Sequence, residues 1–465
     1  MTMHNSDLIV IGAGPAGMAA AATAASLGLD VLILDEQPRP GGQIYRDVTR
    51  AAPARGHILG ADFADGLPLV QGIESERISH VSGATVWKID PDGQVAYSVN
   101  GRGAVAQGAR VLLATGALER PMPIPGWTLP GVMTAGAAQI LLKQSGVLPR
   151  RAVLAGSGPL LYLIASQMVR AGTPPLALVE TQSRADFLAS LRHLPGALRG
   201  WRYLLKGARM LTEIRRAGVP RHSAATDLRI EGDSHATALC FTAGGKTHRI
   251  ACDTVLLHHG VVPNTQAARS LGIAHHWDAR QQCFTPQVDD WGGTSQEHIL
   301  IAGDGAGIGG AAVAEISGRL AALHAACDLS RITHAQRDAQ AAPLHRRRAQ
   351  ELAARPFLDT AYPPCGDALL PADSTIVCRC EEVTAGDIRR FARMGCKGPN
   401  QAKAFGRAGM GPCQGRYCGL TVSALLAREN GASLDDTGYY RIRPPLKPIT
   451  LGELAAMEDM ADAAE

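Results

Sequence analysis

Along the first forty residues, apolar and small positions fall into a repeating order. An apolar run at 8–11 breaks at Gly12, an alanine-rich stretch continues to about Leu27, and a second apolar run at 31–34 ends in the acid Asp35. A short unbroken apolar run between turn residues fits a strand buried on both faces, and the alanine-rich stretch has the length of a helix. Residues 7–37 therefore read as strand, tight turn, helix, strand. The order returns at 150–180, where "RRAVLAGSGPLLYLIASQMVRAG" leads into a strand closed by Glu180. It returns again at 299–323, in "ILIAGDGAGIGGAAVAEISGRLAAL", and "VLLATGALERPMPIPG" (111–126) supplies another buried strand ending at Ala114-Thr115-Gly116. Strands alternating with helices predict an α/β chain built on parallel sheets.

Beyond residue 330 the pattern changes. Residues 331–372 carry His, Arg, Ala and several prolines with little apolar periodicity, and read as a linker. "VTAGDIRRFARMG" then shows a Thr384 cap and helical spacing at Ile388, Phe391 and Met394. The final stretch, "YYRIRPPLKPITLGELAAM" (439–457), is punctuated by proline and reads as an extended tail that clamps another subunit or covers its own first domain. The expected division is a first nucleotide-binding unit at 1–118 completed by 256–330, and a second such unit at 119–255. A linker at 331–374, a cysteine-bearing helical unit at 375–430 and a tail at 431–465 follow. A chain of 465 residues exceeds what one core usually serves, in keeping with several units.

The glycines of the first turn have separate tasks. In Gly12-x-Gly14-Pro15-Ala16-Gly17, the first permits the turn, the second lets a pyrophosphate reach the backbone, and the third brings helix close to strand. The helix N-terminus then offers free N–H groups and a positive dipole end. Asp35 stands where a carboxylate accepts from ribose hydroxyls, with Glu36 beside it. Gly42 and Gln43, Thr115 and Gly116, and Gly303 and Asp304 mark three further approaches to the cofactor, Asp304 as an acceptor for a ribityl hydroxyl. The repeat at 156 has Gly156-x-Gly158-x-x-Leu161, so leucine replaces the third glycine. Glu180 suits a ribose of NAD, but Leu161 holds the helix off the strand, and the expectation is a second unit that no longer uses a nicotinamide.

Cys378-x-Cys380 and Cys413-x-x-x-x-Cys418 are candidate metal ligands, each pair at a helix start where N–H groups reach sulfur. Arg379, Arg389, Arg407 and Arg416 lie near them in sequence and would raise the potential of an iron–sulfur cluster. Zinc is the rival, since four thiolates also close a tetrahedral site. Cys240, Cys252, Cys283 and Cys327 are isolated and read as buried small hydrophobes, with Cys365 and Cys396 as spectators. No C-x-x-C pair occurs, which argues against disulfide reduction.

Composition narrows the classes. A net charge of +4 and an aromatic share of 4% argue against a nucleic-acid binder. No signal peptide or membrane span opens the chain, and ten cysteines without an export signal point to a reducing, cytoplasmic setting where paired thiols serve metal or redox chemistry. The segment 194–218 places Leu198, Trp201, Leu205, Ala208 and Leu211 opposite many arginines. Its expected arrangement is an apolar side on the core with a solvated basic face; the alternative is a surface for an anionic membrane or a partner protein. The pairs His258-His259 and His275-His276 read as ordinary loop or strand-end histidines.

Residues 7–325 resemble the two-dinucleotide-domain flavoproteins of the thioredoxin and glutathione reductase fold, which implies FAD at the first site. The cysteine spacing with "GMGPCQGR" resembles the small helical [2Fe–2S] domain related to bacterioferritin-associated ferredoxin. From "GAGPAG" through "CQGRYCG" to "RIRPPLKPITLGELA", the whole chain resembles the larger flavoprotein subunit of heteromeric amino-acid and opine dehydrogenases, a group with opine oxidase, hydrogen cyanide synthase, D-hydroxyproline dehydrogenase and sarcosine oxidase members. That resemblance implies substrate oxidation on a smaller partner flavoprotein of the D-amino-acid-oxidase type, a possible third, small component, and a second flavin, often FMN, between subunits. Electrons would leave to a quinone or respiratory chain, with attachment to the inner face of the membrane open. A self-contained NADH-dependent reductase and a scaffold with structural zinc are the competing readings.

Overall fold

Strand β1 (His4–Ile11) lies between β2 (Val31–Asp35) and β6 (Arg102–Leu113), parallel to both, with Leu8 opposite Val31 and Arg110. The structure is a computed structural model and describes residues 4–461. On the far side of β2 runs β3 (Ile78–Ser82), and an antiparallel meander of β4 (Thr85–Ile89) and β5 (Gln94–Val99) leads back to β6. The strand Ile299–Ile301 returns to pair in parallel with the end of β6. All five residues of β2 are buried, as expected for parallel strands covered on both faces. Helix α1 (Pro15–Ser26) packs against the helix Ala311–Asp328, and Gly318 permits the approach: a Cβ there would lie 2.0 Å from the Ala16 carbonyl oxygen. β1 has β2 on one side and β6 on the other, and ligand crevices open at the carboxyl end of such a switch point.

The second unit is a five-stranded parallel sheet in the order Arg221–His222, Ala177–Glu180, Ala152–Gly156, Thr254–His258, Val132–Thr134. A three-stranded antiparallel sheet is attached to it.

Two sequence expectations need correction. The region read as a linker is helical, with helices His334–Leu352, Arg355–Ala361 and Gly366–Leu369. Thr333 and Gln336 form a capping box at its start, but Ala341 is the sole buried side chain of the long helix, so the apolar stripe is too thin to show as periodicity. The tail is only partly extended: Leu434–Thr437 and Leu451–Ala461 are helical. Between them the chain crosses the first sheet, where the Leu446 N–H donates to the Trp87 carbonyl at 2.7 Å. Met457 lies over Gly103, where a Cβ would come within 2.7 Å of it. The tail thus covers the chain's own first domain.

The cysteine-bearing unit combines a small hairpin, Ile376–Cys378 with Val383–Thr384, and helices Ala385–Arg393, Pro399–Gly406 and Gly419–Asn430. Its core residues Val377, Ile388, Phe391, Val422 and Leu425 belong to one apolar cluster with Ile11, Leu113 and Ile301. Those last three are the carboxyl-terminal residues of their strands. The small domain is therefore packed continuously onto the sheet at the end where the glycine turn lies.

Candidate functional site

Four segments meet at the N-terminus of α1. Gly12 has φ +106°, and a Cβ there would sit 2.6 Å from the Ala114 carbonyl oxygen; at Gly17 it would lie 1.9 Å from the Gly12 oxygen. Pro15 occupies the first turn, Ala16 is buried, and no side chain caps the helix. The Gly41 N–H donates to Ala13 at 2.8 Å, and a Cβ on Gly42 would meet the Gly14 Cα at 2.8 Å, so the Gly42-Gln43 loop closes on the first turn. Thr115 arrives from the end of β6 and donates to the Asn264 carbonyl at 3.2 Å, while Asn264 N–H returns a bond to Gly116 at 3.0 Å. Gly303, at φ +75°, lies against Ala16. Asn264 Oδ1 and Arg46 Nε are buried without a protein partner, as atoms awaiting a ligand would be.

The three acids differ. Asp35 is buried and accepts from the N–H groups of Ala13 and Gln37, the latter at 2.6 Å; burial pushes its pKa up while those bonds pull it back. Its remaining lone pairs are available to hydroxyls. Asp304 spends Oδ1 on the N–H groups of Gly309 and Gly310, 2.9 Å each, and so orients the start of the following helix. Glu36 is half exposed and gives both oxygens to Lys447 of the tail at 2.7 Å, a role that its neighbour's position did not reveal.

In the small domain the four predicted cysteines come together as two pairs, and the pairing crosses the sequence spacing. Cys380 and Cys413 have sulfurs 3.6 Å apart, close to the roughly 3.8 Å between two thiolates held at about 2.3 Å by one tetrahedral metal. Cys378 and Cys418 are buried and hydrogen-bonded to each other. The Cys418 bond, helped by the N–H groups of Gly409, Glu381 and Cys380, holds the Cys378 thiol down to about 6, and the same contact with burial pushes Cys418 up. Cys380 is exposed, so one pair faces inward and the other outward. Among the described residues no three or more ligating side chains gather at one point.

Tyr440 seals the inner pair. Its ring fills space that Gly409 and Gly415 leave open, where a Cβ would come within 2.5 and 2.2 Å of it, and its buried hydroxyl meets no oxygen or nitrogen and sits beside Cys418. Tyr439 donates to the Gly415 carbonyl at 3.1 Å. Of the four arginines, Arg416 keeps a buried unpaired Nε, Arg407 pairs with Glu381, and Arg379 lies over the Trp127 ring. Arg389 is drawn off to Asp373 and Glu429. The two sites are bridged by Gln266, two residues past Asn264, whose Nε2 donates to the Gln414 carbonyl at 3.4 Å.

The second unit keeps its fold with altered contacts. Glu180 is fully buried, and its carboxylate accepts from Tyr162, from Gln182 at 2.8 Å and from Arg221 Nε and Nη2 at 3.1 and 2.9 Å. The acid whose spacing suits a ribose therefore has both carboxylate oxygens engaged by protein donors. Leu161 is buried in the core, where it fills volume that the Gly17 contact would have removed. His258 lies against Gly158, and its Nδ1 is 2.6 Å from Glu119.

Residues 6–328 match the family model described as pyridine nucleotide-disulphide oxidoreductase, and residues 372–458 match the sarcosine oxidase A3 domain. The opine oxidase A-subunit of Rhizobium meliloti (strain 1021) is 45% identical over 97% of this chain and 98% of that one. The chain belongs to the opine oxidase A-subunit family. Hydrogen cyanide synthase subunit HcnB of Pseudomonas aeruginosa is 32% identical over 95% of this chain and 96% of its own length. L-proline dehydrogenase from P. horikoshii shares the fold, with a TM-score of 0.72 over 98% of this chain and 80% of that one, at 17% identity. As a member, the chain is a flavin oxidoreductase, and its relatives are subunits of heteromeric enzymes.

Two features of this family member had no sequence signal, and a third departs from the sequence reading. Lys143 is buried, and its Nζ donates to the Gln43 carbonyl at 3.0 Å and to Gln139 at 2.9 Å; burial, with the charge of Arg46, holds it down to about 7. Glu119 and His258 lie 139 positions apart, and only the fold joins them. The third is a correction: Leu198, Trp201 and Leu205 point outward, at 58%, 55% and 38% exposure, whereas Met210 and Ile214 hold the helix to the core. Other histidines behave as expected, His259 bonding Pro121 and His275 bonding Ile273.

Proposed function

We propose that this protein relays electrons within a heteromeric complex that oxidises an opine or a related secondary amine on a partner flavoprotein of the D-amino-acid-oxidase type. FAD would be held in the cradle around Gly12, Gly14 and Gly17, with Asp35 placed to accept from a ribose and the Gly42-Gln43, Thr115-Gly116 and Gly303-Asp304 segments lining the rest. Cys378, Cys380, Cys413 and Cys418 would hold a [2Fe–2S] cluster. Together the two groups would supply a means of turning two-electron flavin chemistry into one-electron transfer. The observation that carries this reading is the two crossed cysteine contacts, Cys380 with Cys413 and Cys378 with Cys418, in a domain whose core is continuous with the strand ends beside the glycine turn. A zinc site would call for four thiolates around one point, and two side-by-side pairs suit two metals better.

The engaged Glu180 supports a second unit that takes no NAD. FMN would sit between this chain and its partner, and the acceptor would be a quinone or respiratory component, met by a cytoplasmic complex at the inner face of the membrane. No described helix is long and apolar enough to cross a membrane. Adding NADH anaerobically to the purified complex should leave flavin absorbance unchanged, whereas an opine should bleach it and raise the paramagnetic signal of a reduced cluster. Prompt bleaching by NADH would instead make the chain a self-contained reductase.

A further inference from the structure

Eight of the eighteen exposed large hydrophobic side chains among the described residues fall between positions 187 and 205, too dense for scattered surface residues. They lie on four consecutive helical pieces, Arg184–Ser190, the 3-10 turn Leu191–His193, Leu194–Arg199 and Trp201–Arg216. Leu188, Leu191, Leu194, Leu198, Trp201 and Leu205 step by three or four residues along the sequence, and all six are exposed. Leu188 is 64% exposed, the highest of the set. The opposite side is what anchors the segment: Met210 and Ile214 pack with Leu161, Ile164 and Met168.

Charge says what meets this face. Residues 184–216 contain seven arginines and one lysine against two acids, and both acids are engaged, Asp186 in a capping box and Glu213 with Arg170. Lys206 pairs with Asp62, whereas Arg184, Arg199, Arg202 and Arg209 have no carboxylate partner among the described residues. Arginines are interleaved with the apolar stripe instead of forming a rim around it. A protein partner would have to supply an acid opposite each arginine it covers, since a charge desolvated without a partner is costly. Lipid phosphates supply anions at any position, and arginine stems reach them while leucines and tryptophan enter the acyl boundary.

We infer that the 184–216 face docks this protein on an anionic phospholipid surface. It binds in the plane of the membrane, and it deepens the placement at a membrane proposed above without depending on the identity of the cluster or substrate.

The test is flotation of the purified complex with vesicles of phosphatidylcholine, with or without phosphatidylglycerol. Binding is expected only with the anionic lipid and should weaken as salt rises. Leu188→Glu combined with Leu198→Glu should lower the bound fraction by about tenfold. Arg199→Glu combined with Arg202→Glu should abolish the preference for phosphatidylglycerol. All four side chains are outside the flavin and cysteine sites, so flavin content and circular dichroism should be unchanged. The inference is overturned if the wild-type complex ignores anionic vesicles, or if both variants float as well as the wild type. It is equally overturned if the variants release the partner flavoprotein while vesicle binding is absent throughout, which would make the face a contact between subunits.

Discussion

Tyr440 places a buried hydroxyl beside Cys418 of the inner cysteine pair, and hydrogen bonds to ligand sulfur raise the potential of an iron–sulfur centre. Tyr440→Phe keeps the ring that fills the space at Gly409 and Gly415 and removes only the donor. Potentiometric titration followed by electron paramagnetic resonance should show a more negative midpoint with iron and sulfide content unchanged; an unmoved potential would make the tyrosine purely a packing residue. Lys143 makes a second residue-scale prediction. Its folded pKa is held down to about 7, against about 10.4 in an unfolded chain. Between those values the unfolded state binds a proton that the folded state lacks, so this residue makes stability rise with pH across that window. Below pH 7 the burial penalty is present in full. Lys143→Met should therefore be more stable than the wild type at pH 6.5, with the gap closing toward pH 10 in denaturant titrations. Gly17 is a simple steric case: Gly17→Ala drives a Cβ into the Gly12 carbonyl and should destabilise by about 1–3 kcal/mol and lower flavin retention, read by thermal melts and absorbance.

At the scale of elements, the two dinucleotide-type motifs show how one substitution redirects a fold. α1 reaches its turn because Gly17 has no side chain, whereas Leu161 at the matching position of the repeat is buried among Ile164 and Met168. The freed Glu180 is held by Arg221 and Tyr162, so Arg221→Ala strands a buried carboxylate and should cost about 3 kcal/mol without creating oxidation of NADH. What was legible in the sequence follows a rule of locality. Glycine turns, buried parallel strands, the Thr384 cap and the cysteine spacings are all written within a few residues. The helix His334–Leu352 was not legible because Ala341 alone of its residues is buried. The crossed cysteine pairs were not legible either, since spacing gives neighbours in sequence and the fold chooses neighbours in space. Glu36 and Glu180 were placed correctly on their strands, but their partners Lys447 and Arg221 arrive from 411 and 41 residues away.

Over the whole molecule, one core joins the flavin-type sheet to the small cysteine domain, and the tail fastens them from outside. The Lys447–Glu36 pair is partly exposed, and Lys447→Ala should change stability by under about 1 kcal/mol. Tyr440 is buried and Tyr439 partly buried between the domains, so their packing, more than that ion pair, holds the arrangement. The exposed Cys380 and the basic apolar face on the second unit are two surfaces turned to solvent, and the two proposals above assign them separate roles.

The central claim is that the crossed cysteines hold an iron–sulfur cluster next to a flavin. Its most direct measurement is iron, acid-labile sulfide and flavin content of anaerobically purified protein, with electron paramagnetic resonance after reduction. The account predicts about two irons and two sulfides per chain with a reduced-cluster signal, all lost in Cys378→Ser while flavin remains. Stoichiometric zinc without sulfide, or a signal that survives Cys378→Ser unchanged, would contradict it.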